Sequence, residues 1–280
     1  MAERLKLLAV LAHPDDESMG VGGVIAKYGA EGIEVSLVVA TRGQRGRFHG
    51  HPQGDPRHPG ADALARIREQ ELDAAAAVLG IHDVTLLEYE DQLLDKADPL
   101  DAIDRIARHI RRLRPQIVVT FGPDGTYGHP DHIAISQLTT GAIAAAAADE
   151  SHDGTRQAGH AVSKFYYLVW PQDMLDAFDR AYRRLVSHVD GVERRVVAWP
   201  EWQITTIVDT REEWPTVWRA VSCHQTQVNA YDRLMNLPDE EHSALWGRQC
   251  FYRVFSRVNG GRAVEHDLFE GLRDRAESVA

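Results

Sequence analysis

Two short motifs in the amino-acid sequence carry side chains that can bind a metal ion and move protons. The first is His13-Pro14-Asp15-Asp16-Glu17 and the second is Tyr127-Gly128-His129-Pro130-Asp131-His132. Residues three apart, such as His13 and Asp16, can point to the same side of one turn. Two imidazoles and a carboxylate are a ligand set of catalytic zinc sites, with a fourth position open for water. The two motifs therefore predict a metal site for hydrolysis.

The first motif also offers a general base. His13, Asp16 and His132 would hold the metal, and Asp15 would accept the proton of the attacking water. Spacing alone does not decide which of the two aspartates is the ligand. A carboxylate beside a cation has a lowered pKa, so burial must restore part of its basicity.

The second motif offers an acid. His129 would stabilise the oxyanion as imidazolium and then protonate the leaving amine, while Asp131 would orient His129 or support His132. Taken separately, the first motif also fits a helix N-cap and the second a polar turn. Their joint occurrence at two strand ends is harder to explain by capping, and it favours the hydrolytic site.

The elements that position these motifs alternate along the first 150 residues. Apolar runs bounded by turn residues are joined by stretches of helical periodicity, which predicts a parallel sheet with right-handed crossovers. Ligands bind at the carboxyl ends of such strands, where both motifs lie. The predicted strands are Leu5–Ala12, Glu34–Ala40, Asp83–Leu87 and Gln116–Phe121, and the predicted helices are Gly22–Ala30, Asp62–Leu79 and Leu100–Leu113.

The rest of the chain predicts additions to the same sheet. A polar stretch, 149–159, favours a linker or surface loop. We expect an α/β fold, with a Rossmann-like, mostly parallel sheet flanked by helices. Residues 1–280 would form one domain, in which 1–148 carry the metal site and 160–280 extend or cover the sheet and complete the pocket. The later predicted strands are Lys164–Trp170, Gln203–Val208 and Phe251–Phe255, and the later predicted helices are Met174–Leu185 and Arg211–Cys223.

Composition excludes several classes of protein. The chain has 280 residues, 44% of them hydrophobic and 26% charged, which are ordinary globular values. A net charge of −11 argues against binding to nucleic acid or anionic lipid. Apolar runs are too short for a membrane span or a secretory signal, and two cysteines suit a reduced compartment, so we expect a cytoplasmic protein. Fourteen histidines indicate metal or proton chemistry.

The two motifs together resemble the LmbE-like/PIG-L family of zinc-dependent N-deacetylases. The resemblance covers about residues 5–140, with Ala12–Glu17 and Gly128–His132 matching in order and in strand context. It implies a hydrolase that removes the acetyl group from an N-acetylglucosamine-type substrate, a small molecule. The family includes the deacetylases and the amidase of mycothiol and bacillithiol metabolism, and its members are often homo-oligomers.

The resemblance also assigns roles to single residues. Fe²⁺ suits two histidines and one carboxylate as well as Zn²⁺ does, so the ligand set does not decide the metal. The implied roles are zinc ligation by His13, Asp16 and His132, general base for Asp15, acid or oxyanion partner for His129, tuning of His129 by Asp131, and contact with the tetrahedral intermediate for Tyr127.

Weaker signals concern the substrate. Arg68 resembles a family arginine that contacts substrate, although a solvated helix charge explains it equally well. His224 and Gln227 lie in a stretch that resembles a signature at the rim of the site, and a helix-end histidine is the alternative. The loop Thr41–Gly60 carries arginines and histidines and would either recognise a polar group or simply be solvated.

Two other functions compete with deacetylation. The same site would serve an amidase that cleaves a larger amide, such as a mycothiol-type thiol conjugate, because only the pocket would differ. A catalytically silent module that binds a metal or a sugar would keep the fold without turnover.

Overall fold

Strands and helices alternate along the computed structural model, which describes residues 4–152, 155–182, 186–189, 191–229, 232–261 and 263–273. The strands are β1 (Lys6–Leu11), β2 (Glu34–Thr41), β3 (Asp83–Tyr89), β4 (Ile117–Phe121), β5 (Glu150–His152), β6 (Thr155–Gln157), β7 (Lys164–Val169), β8 (Val186–Val189), β9 (Val192–Arg195), β10 (Thr206–Asp209) and β11 (Arg248–Ser256). The helices are α1 (Asp16–Met19), α2 (Gly22–Ala30), α3 (Ala61–Leu79), α4 (Pro99–Leu113), α5 (Gly125–Gly128), α6 (Pro130–Ala146), α7 (Gln172–Tyr182), α8 (Trp214–Val221), α9 (Gln225–Val228), α10 (Asp232–Met235) and α11 (Asp239–Trp246).

Seven of the strands form one sheet in the order β10-β11-β7-β4-β1-β2-β3. Five neighbouring strands, β3, β2, β1, β4 and β7, are parallel. At the other edge, β11 pairs antiparallel with β7 and β10 pairs antiparallel with β11. The chain moves outward from β1 to β2 and β3, and then returns to the other side of β1 for β4 and β7. The sheet therefore has its topological switch point between β1 and β4, where open α/β sheets form a ligand crevice.

Burial explains why these residues form a central sheet. Every residue of β4 is buried, and so is all of β1 after Lys6. Continuous apolar strands are typical of parallel strands covered on both faces by helices. The helix α4 shows the matching pattern, since its apolar side, including Ile106 and Ile110, is buried while Asp98 caps its first turn by accepting the Leu100 N–H at 2.9 Å.

The predicted α/β architecture is confirmed, including the C-terminal strands that extend the same sheet. The stretch 149–159, predicted as a linker or loop, instead contains the short hairpin β5–β6. The predicted strand Gln203–Val208 begins later, at Thr206, because a 3₁₀ turn occupies Glu201–Gln203. Within the part of the chain that the structure describes, no helix is long and apolar enough to cross a membrane.

Candidate functional site

Both sequence motifs lie at the switch point of the sheet. His13 and Asp16 follow β1, and His132 follows β4 in the first turn of α6. The neighbouring strands β1 and β4 run parallel, so their carboxyl ends bring the two motifs together. All three side chains are buried, with at most 9% of each residue exposed.

The donor atoms of these three residues converge. His13 Nδ1 lies 3.2 Å from His132 Nε2 and 3.6 Å from Asp16 Oδ2, and His132 Nε2 lies 3.4 Å from Asp16 Oδ1. Ligands placed tetrahedrally around zinc are about 3.3–3.6 Å from one another. The spacing of the two imidazoles and the carboxylate therefore fits a zinc-sized cation.

Two carboxylates behind His13 determine which of its nitrogens faces the other ligands. His13 Nε2 lies 3.1 Å from Asp131 Oδ2 and 3.2 Å from Asp91 Oδ1. Because both neighbours are acceptors, Nε2 carries a proton and donates it, which leaves the Nδ1 lone pair for a metal. Donor atoms of His13, Asp91 and Asp131 also lie within 4.8 Å of one another, as do those of His13, His129 and His132.

Asp131 is hydrogen-bonded to His13 through its carboxylate. Its fully buried carboxylate contacts His13 and accepts backbone N–H groups from Gln92 at 2.7 Å and Leu94 at 3.1 Å. Burial raises the pKa of Asp131, but the hydrogen bond with His13 and the charge of that ring lower it below its usual value overall. The carboxylate thus fixes the ring of His13, and the tuning of His129 stays a prediction.

His132 is oriented by a ring rather than by a carboxylate. Its imidazole stacks on Phe121, the last residue of β4, with ring centroids 3.9 Å apart and planes inclined by 5°. Among the described residues, its buried Nδ1 has no hydrogen-bond partner.

Asp15 is held in an unusual backbone conformation beside the ligands. Its φ is +111°, a region that residues with a side chain rarely adopt and that is often found at functional sites. Its Oδ2 lies 3.0 Å from an Arg68 guanidinium nitrogen. Burial raises the pKa of Asp15 to about 6, although the Arg68 charge opposes that rise. A carboxylate with this pKa is ionised at neutral pH and more basic than a surface aspartate.

His129 occupies the N-cap of α6, although the sequence suggested a cap only for the first motif and a polar turn for the second. Its Nδ1 accepts the Asp131 N–H at 3.2 Å, which places the proton of a neutral ring on Nε2. Burial, with the charges of His13 and His132, lowers the pKa of His129 to about 3. A neutral ring at this position would donate from Nε2, and the imidazolium role expected from the sequence stays a prediction.

A cleft of about 210 Å³ opens beside Asp15, Asp16 and His132. Tyr127 lies at its edge, with its ring 5.2 Å from the His132 ring and 5.8 Å from the His129 ring. Both polar and apolar side chains line the cleft. Its lining residues are Asp15, Asp16, Met19, Gly20, Phe121, Thr126, Tyr127, His132, Trp170, Phe178 and Gln227.

Arg68 is not a solvated helix charge. It is 3% exposed, pairs with Asp15, and donates to the backbone carbonyls of Gly43, at 3.0 Å, and Pro14. The guanidinium thus ties α3 to Asp15 and to the loop after β2, and contact with substrate stays a prediction.

His224 and Gln227 occupy different places around α9. His224 is fully buried and its Nε2 lies 2.7 Å from Glu17 Oε1, so it has an internal partner rather than a place at the rim. Gln227 lines the cleft and donates through Nε2 to the Arg47 carbonyl at 2.8 Å. The segment Thr41–Gly60 is therefore joined to the C-terminal part of the chain beside the cleft.

Sequence reasoning missed three buried carboxylates near the site. Asp91 follows β3, a strand end where chemistry was expected, so its position was a usable signal. Glu17 lies inside the first motif, and its pairing with His224 spans 207 positions. Glu71 accepts the backbone N–H of Thr226 at 2.8 Å and its hydroxyl at 2.7 Å, which attaches α9 to α3.

Comparison with known proteins identifies the family of this chain. The family profile described as "PIG-L: GlcNAc-PI de-N-acetylase" matches residues 8–143. The chain is 33% identical to the 1D-myo-inositol 2-acetamido-2-deoxy-alpha-D-glucopyranoside deacetylase of Kineococcus radiotolerans, over 95% of this chain and 83% of that protein. It is 30% identical to the mycothiol S-conjugate amidase of Streptomyces coelicolor, over 99% and 100% respectively.

Solved structures share the fold at lower identity. The 4-carboxy-2-hydroxymuconate hydratase GalB of Pseudomonas putida has a TM-score of 0.66 at 19% identity, over 92% of this chain and 100% of that one. The N,N'-diacetylchitobiose deacetylase of Pyrococcus horikoshii has a TM-score of 0.63 at 19% identity, over 89% and 83%. Because one is a hydratase and the other a deacetylase, the fold alone does not decide the reaction.

The sheet and the site define an α/β protein with two buried histidines and one buried aspartate at the switch point of a mostly parallel sheet. The chain belongs to the PIG-L (LmbE-like) family.

Proposed function

We propose that this protein is a metal-dependent deacetylase that removes the acetyl group from an N-acetylglucosaminyl-type small molecule. The observation that carries the proposal is the convergence of His13 Nδ1, His132 Nε2 and the Asp16 carboxylate within 3.2–3.6 Å, with Asp15 beside them. The name of the Kineococcus radiotolerans relative gives the substrate class.

His13, Asp16 and His132 would hold the cation, which we propose to be Zn²⁺, with Fe²⁺ suiting the same ligands. When bound, such a cation supplies Lewis-acid chemistry that polarises the amide carbonyl and acidifies a water molecule. Asp91 and Asp131 hold the Nε2 proton of His13 and thereby keep Nδ1 available.

Asp15 accepts the proton of the attacking water. Arg68 fixes its carboxylate from one side, and burial makes it a stronger base than an exposed aspartate. Because burial and the charges of His13 and His132 lower the pKa of His129 to about 3, we propose that protonated Asp15 supplies the proton that the leaving amine needs. The water proton then passes through Asp15 to the amine, and acetate and the free amine are the products.

His129 and Tyr127 face the oxyanion. His129 can donate from Nε2, because its Nδ1 is occupied as an acceptor at the helix N-cap. Tyr127 lines the cleft beside it, and its hydroxyl would be the second donor.

The experiment combines an amine-release screen over N-acetylglucosaminyl glycosides with metal analysis of variants. Asp15→Ala should retain one metal per chain and lose turnover by about 10²–10⁴-fold, as expected for loss of a general base. His132→Ala should lose metal first, and His109→Ala, a histidine on α4 away from the site, should behave as wild type. Unchanged metal content in His132→Ala would contradict the ligand assignment.

A larger amide is the second candidate substrate. The apolar residues that line the cleft favour an apolar group beyond acetyl; they are Met19, Phe121, Trp170 and Phe178. The similarity to a mycothiol S-conjugate amidase supports the same alternative. Comparing kcat/KM for N-acetyl and N-hexanoyl forms of one amino sugar separates the two, because a deacetylase favours the acetyl form. A silent binding module would release no amine from either.

Three further expectations stay predictions. We propose a cytoplasmic protein, a homo-oligomer, and one functional unit formed by the 1–148 core and the 160–280 extension, since Gln227 completes the cleft. Light scattering of the purified chain measures its oligomeric state.

A further inference from the structure

We propose that Glu17 is a positioning residue for Asp15. Its carboxylate holds the backbone N–H of Asp15, and His224 holds the carboxylate from the C-terminal part of the chain. The inference rests on the proposed function, in which Asp15 is the general base.

The first observation is the backbone of Asp15. At φ +111° and ψ −26° it needs surroundings that enforce the conformation. Glu17 Oε2 accepts the Asp15 N–H at 2.9 Å. The Asp15 carbonyl accepts from Ser18 N at 3.1 Å and from Met19 N at 2.9 Å at the start of α1. Glu17 therefore fixes the amide end of a residue whose other end is fixed by a short helix.

The second observation is the burial of Glu17 and its partners. Glu17 and His224 are both 0% exposed. Glu17 Oε1 accepts the Ser18 hydroxyl at 2.6 Å and lies 2.7 Å from His224 Nε2. A buried carboxylate is costly unless it is paired and hydrogen-bonded, and these partners satisfy it. The pairing makes the position of the carboxylate depend on residues just before α9.

The third observation concerns where Glu17 and Asp15 lie relative to the cleft. Glu17 is not among the residues that line the cleft, whereas Asp15 is. Glu17 can therefore influence turnover by placing the Asp15 carboxylate, which Arg68 meets from the other side at 3.0 Å. Small misplacements of a reacting group have large effects on rate, about 100-fold for 1 Å.

The test is Glu17→Gln, which keeps the size of the side chain and removes its charge. In the full-length metal-loaded enzyme, kcat should fall about 10- to 100-fold while KM stays within about threefold and metal content stays at one per chain. The matched control is Glu265→Gln, a buried carboxylate in another part of the molecule, bonded to Lys164 and Tyr166. That variant should lose stability without loss of kcat in the folded protein.

A double-mutant cycle with Asp15→Asn shows whether Glu17 acts through the base. If it does, Glu17→Gln should cause no further loss of the residual kcat in the Asp15→Asn background. Multiplicative losses, wild-type kcat in folded Glu17→Gln, or loss of metal from it would each overturn the proposal. Wild-type kcat in Asp15→Asn would instead identify failure of the proposed function, on which this inference depends.

Amide hydrogen exchange on the wild-type protein tests the contact without any variant, should Glu17→Gln not fold. The Asp15 amide should be protected to the same degree as the Gly20 amide, which donates to Asp16 O at 2.8 Å at the end of α1. Exchange of the Asp15 amide at the rate of an exposed loop amide would overturn the proposal.

Discussion

His13 uses its two ring nitrogens for different purposes, and this division accounts for much of the site. Nε2 meets the carboxylates of Asp91 and Asp131, while Nδ1 faces Asp16 and His132. Burial lowers the pKa of His13, but the surrounding carboxylates outweigh it and raise the pKa well above the usual value. A cation at Nδ1 would replace the proton that these carboxylates attract.

Removing the carboxylate of Asp91 or of Asp131, which both lie beside His13 Nε2, should weaken metal binding. Asp91→Asn should lower the affinity for Zn²⁺ about 10- to 100-fold, because the neutral amide holds the Nε2–H less firmly. Competition with a chromogenic chelator measures the affinity. Asp95→Asn, an exposed aspartate a few residues later, should bind as tightly as wild type. Equal affinities for the two variants would show that Asp91 does not orient the ligand.

Sequence reasoning works at the residue scale when the signal is local. His13, Asp16 and His132 lie in compact motifs directly after strands, so spacing and the strand-end rule point to them. Asp91 and Glu17 differ, because each has a partner far along the chain and no motif of its own marks the pair. A lone buried carboxylate cannot be told from a surface one before the fold is known.

Residues with irregular backbone angles just after the strands carry the strain of the site. Asp15 after β1 and Thr126 after β4 are both non-glycine residues with positive φ, +111° and +65°. The loop after β2 lies against the same centre through Gly43, whose carbonyl accepts from Arg68. The residues after β1, β2 and β4 are thus held in conformations that a regular helix or strand would not adopt.

Gly43 offers a test of how this loop is positioned. Its φ is +61°, and an added Cβ would collide with the Arg68 guanidinium. Gly43→Ala should therefore displace Arg68 and lower kcat/KM at least tenfold, in addition to the roughly 1 kcal/mol of backbone strain. Gly54→Ala is the matched control in the same loop, because its φ is +87° but nothing lies within 4 Å of the added Cβ. Similar activities of the two variants would contradict the proposed contact.

Periodicity predicted the regular elements well and the polar ones poorly. The helix Asp62–Leu79 begins one residue earlier, at Ala61, and ends at Leu79 with Gly80 as its left-handed C-cap. The hairpin β5–β6 was missed because its strands have three residues each and no apolar alternation. Short polar strands depend on pairing, which sequence patterns do not reveal.

At the scale of the whole molecule, the C-terminal part serves both the sheet and the site. Through β7, β11 and β10 it completes the sheet beyond β4, while His224 contacts Glu17 of the first motif and Gln227 lines the cleft. The antiparallel strands β10 and β11 were predicted to extend the sheet, but their direction had no signal in the sequence. The chain returns through α8, which packs against α2 and α3, and this packing places α9 behind the first motif.

A buried polar network attaches the end of the described chain to this sheet, and its centre is Glu265. The residue is 1% exposed, and its carboxylate accepts from Lys164 Nζ at 2.6 Å, Tyr166 OH at 2.7 Å and Thr206 Oγ1 at 2.9 Å. Burial raises the pKa of Glu265, but these bonds lower it below 4.5 overall.

Glu265→Gln should therefore destabilise the whole protein without altering the site. Losing the charge leaves Lys164, which is fully buried, without its ionic partner, and breaking a buried pair costs about 3–5 kcal/mol. Because the folded pKa of Glu265 lies below its unfolded value of 4.5, the difference from wild type is fully present above that pH and shrinks as the pH falls through the folded pKa. Urea unfolding from pH 7 to pH 4 measures it, with exposed Glu201→Gln as control. An equal loss of stability in Glu201→Gln would contradict an ionised Glu265 as the origin of the difference. A difference below 1 kcal/mol at pH 7 would show that the network adds little.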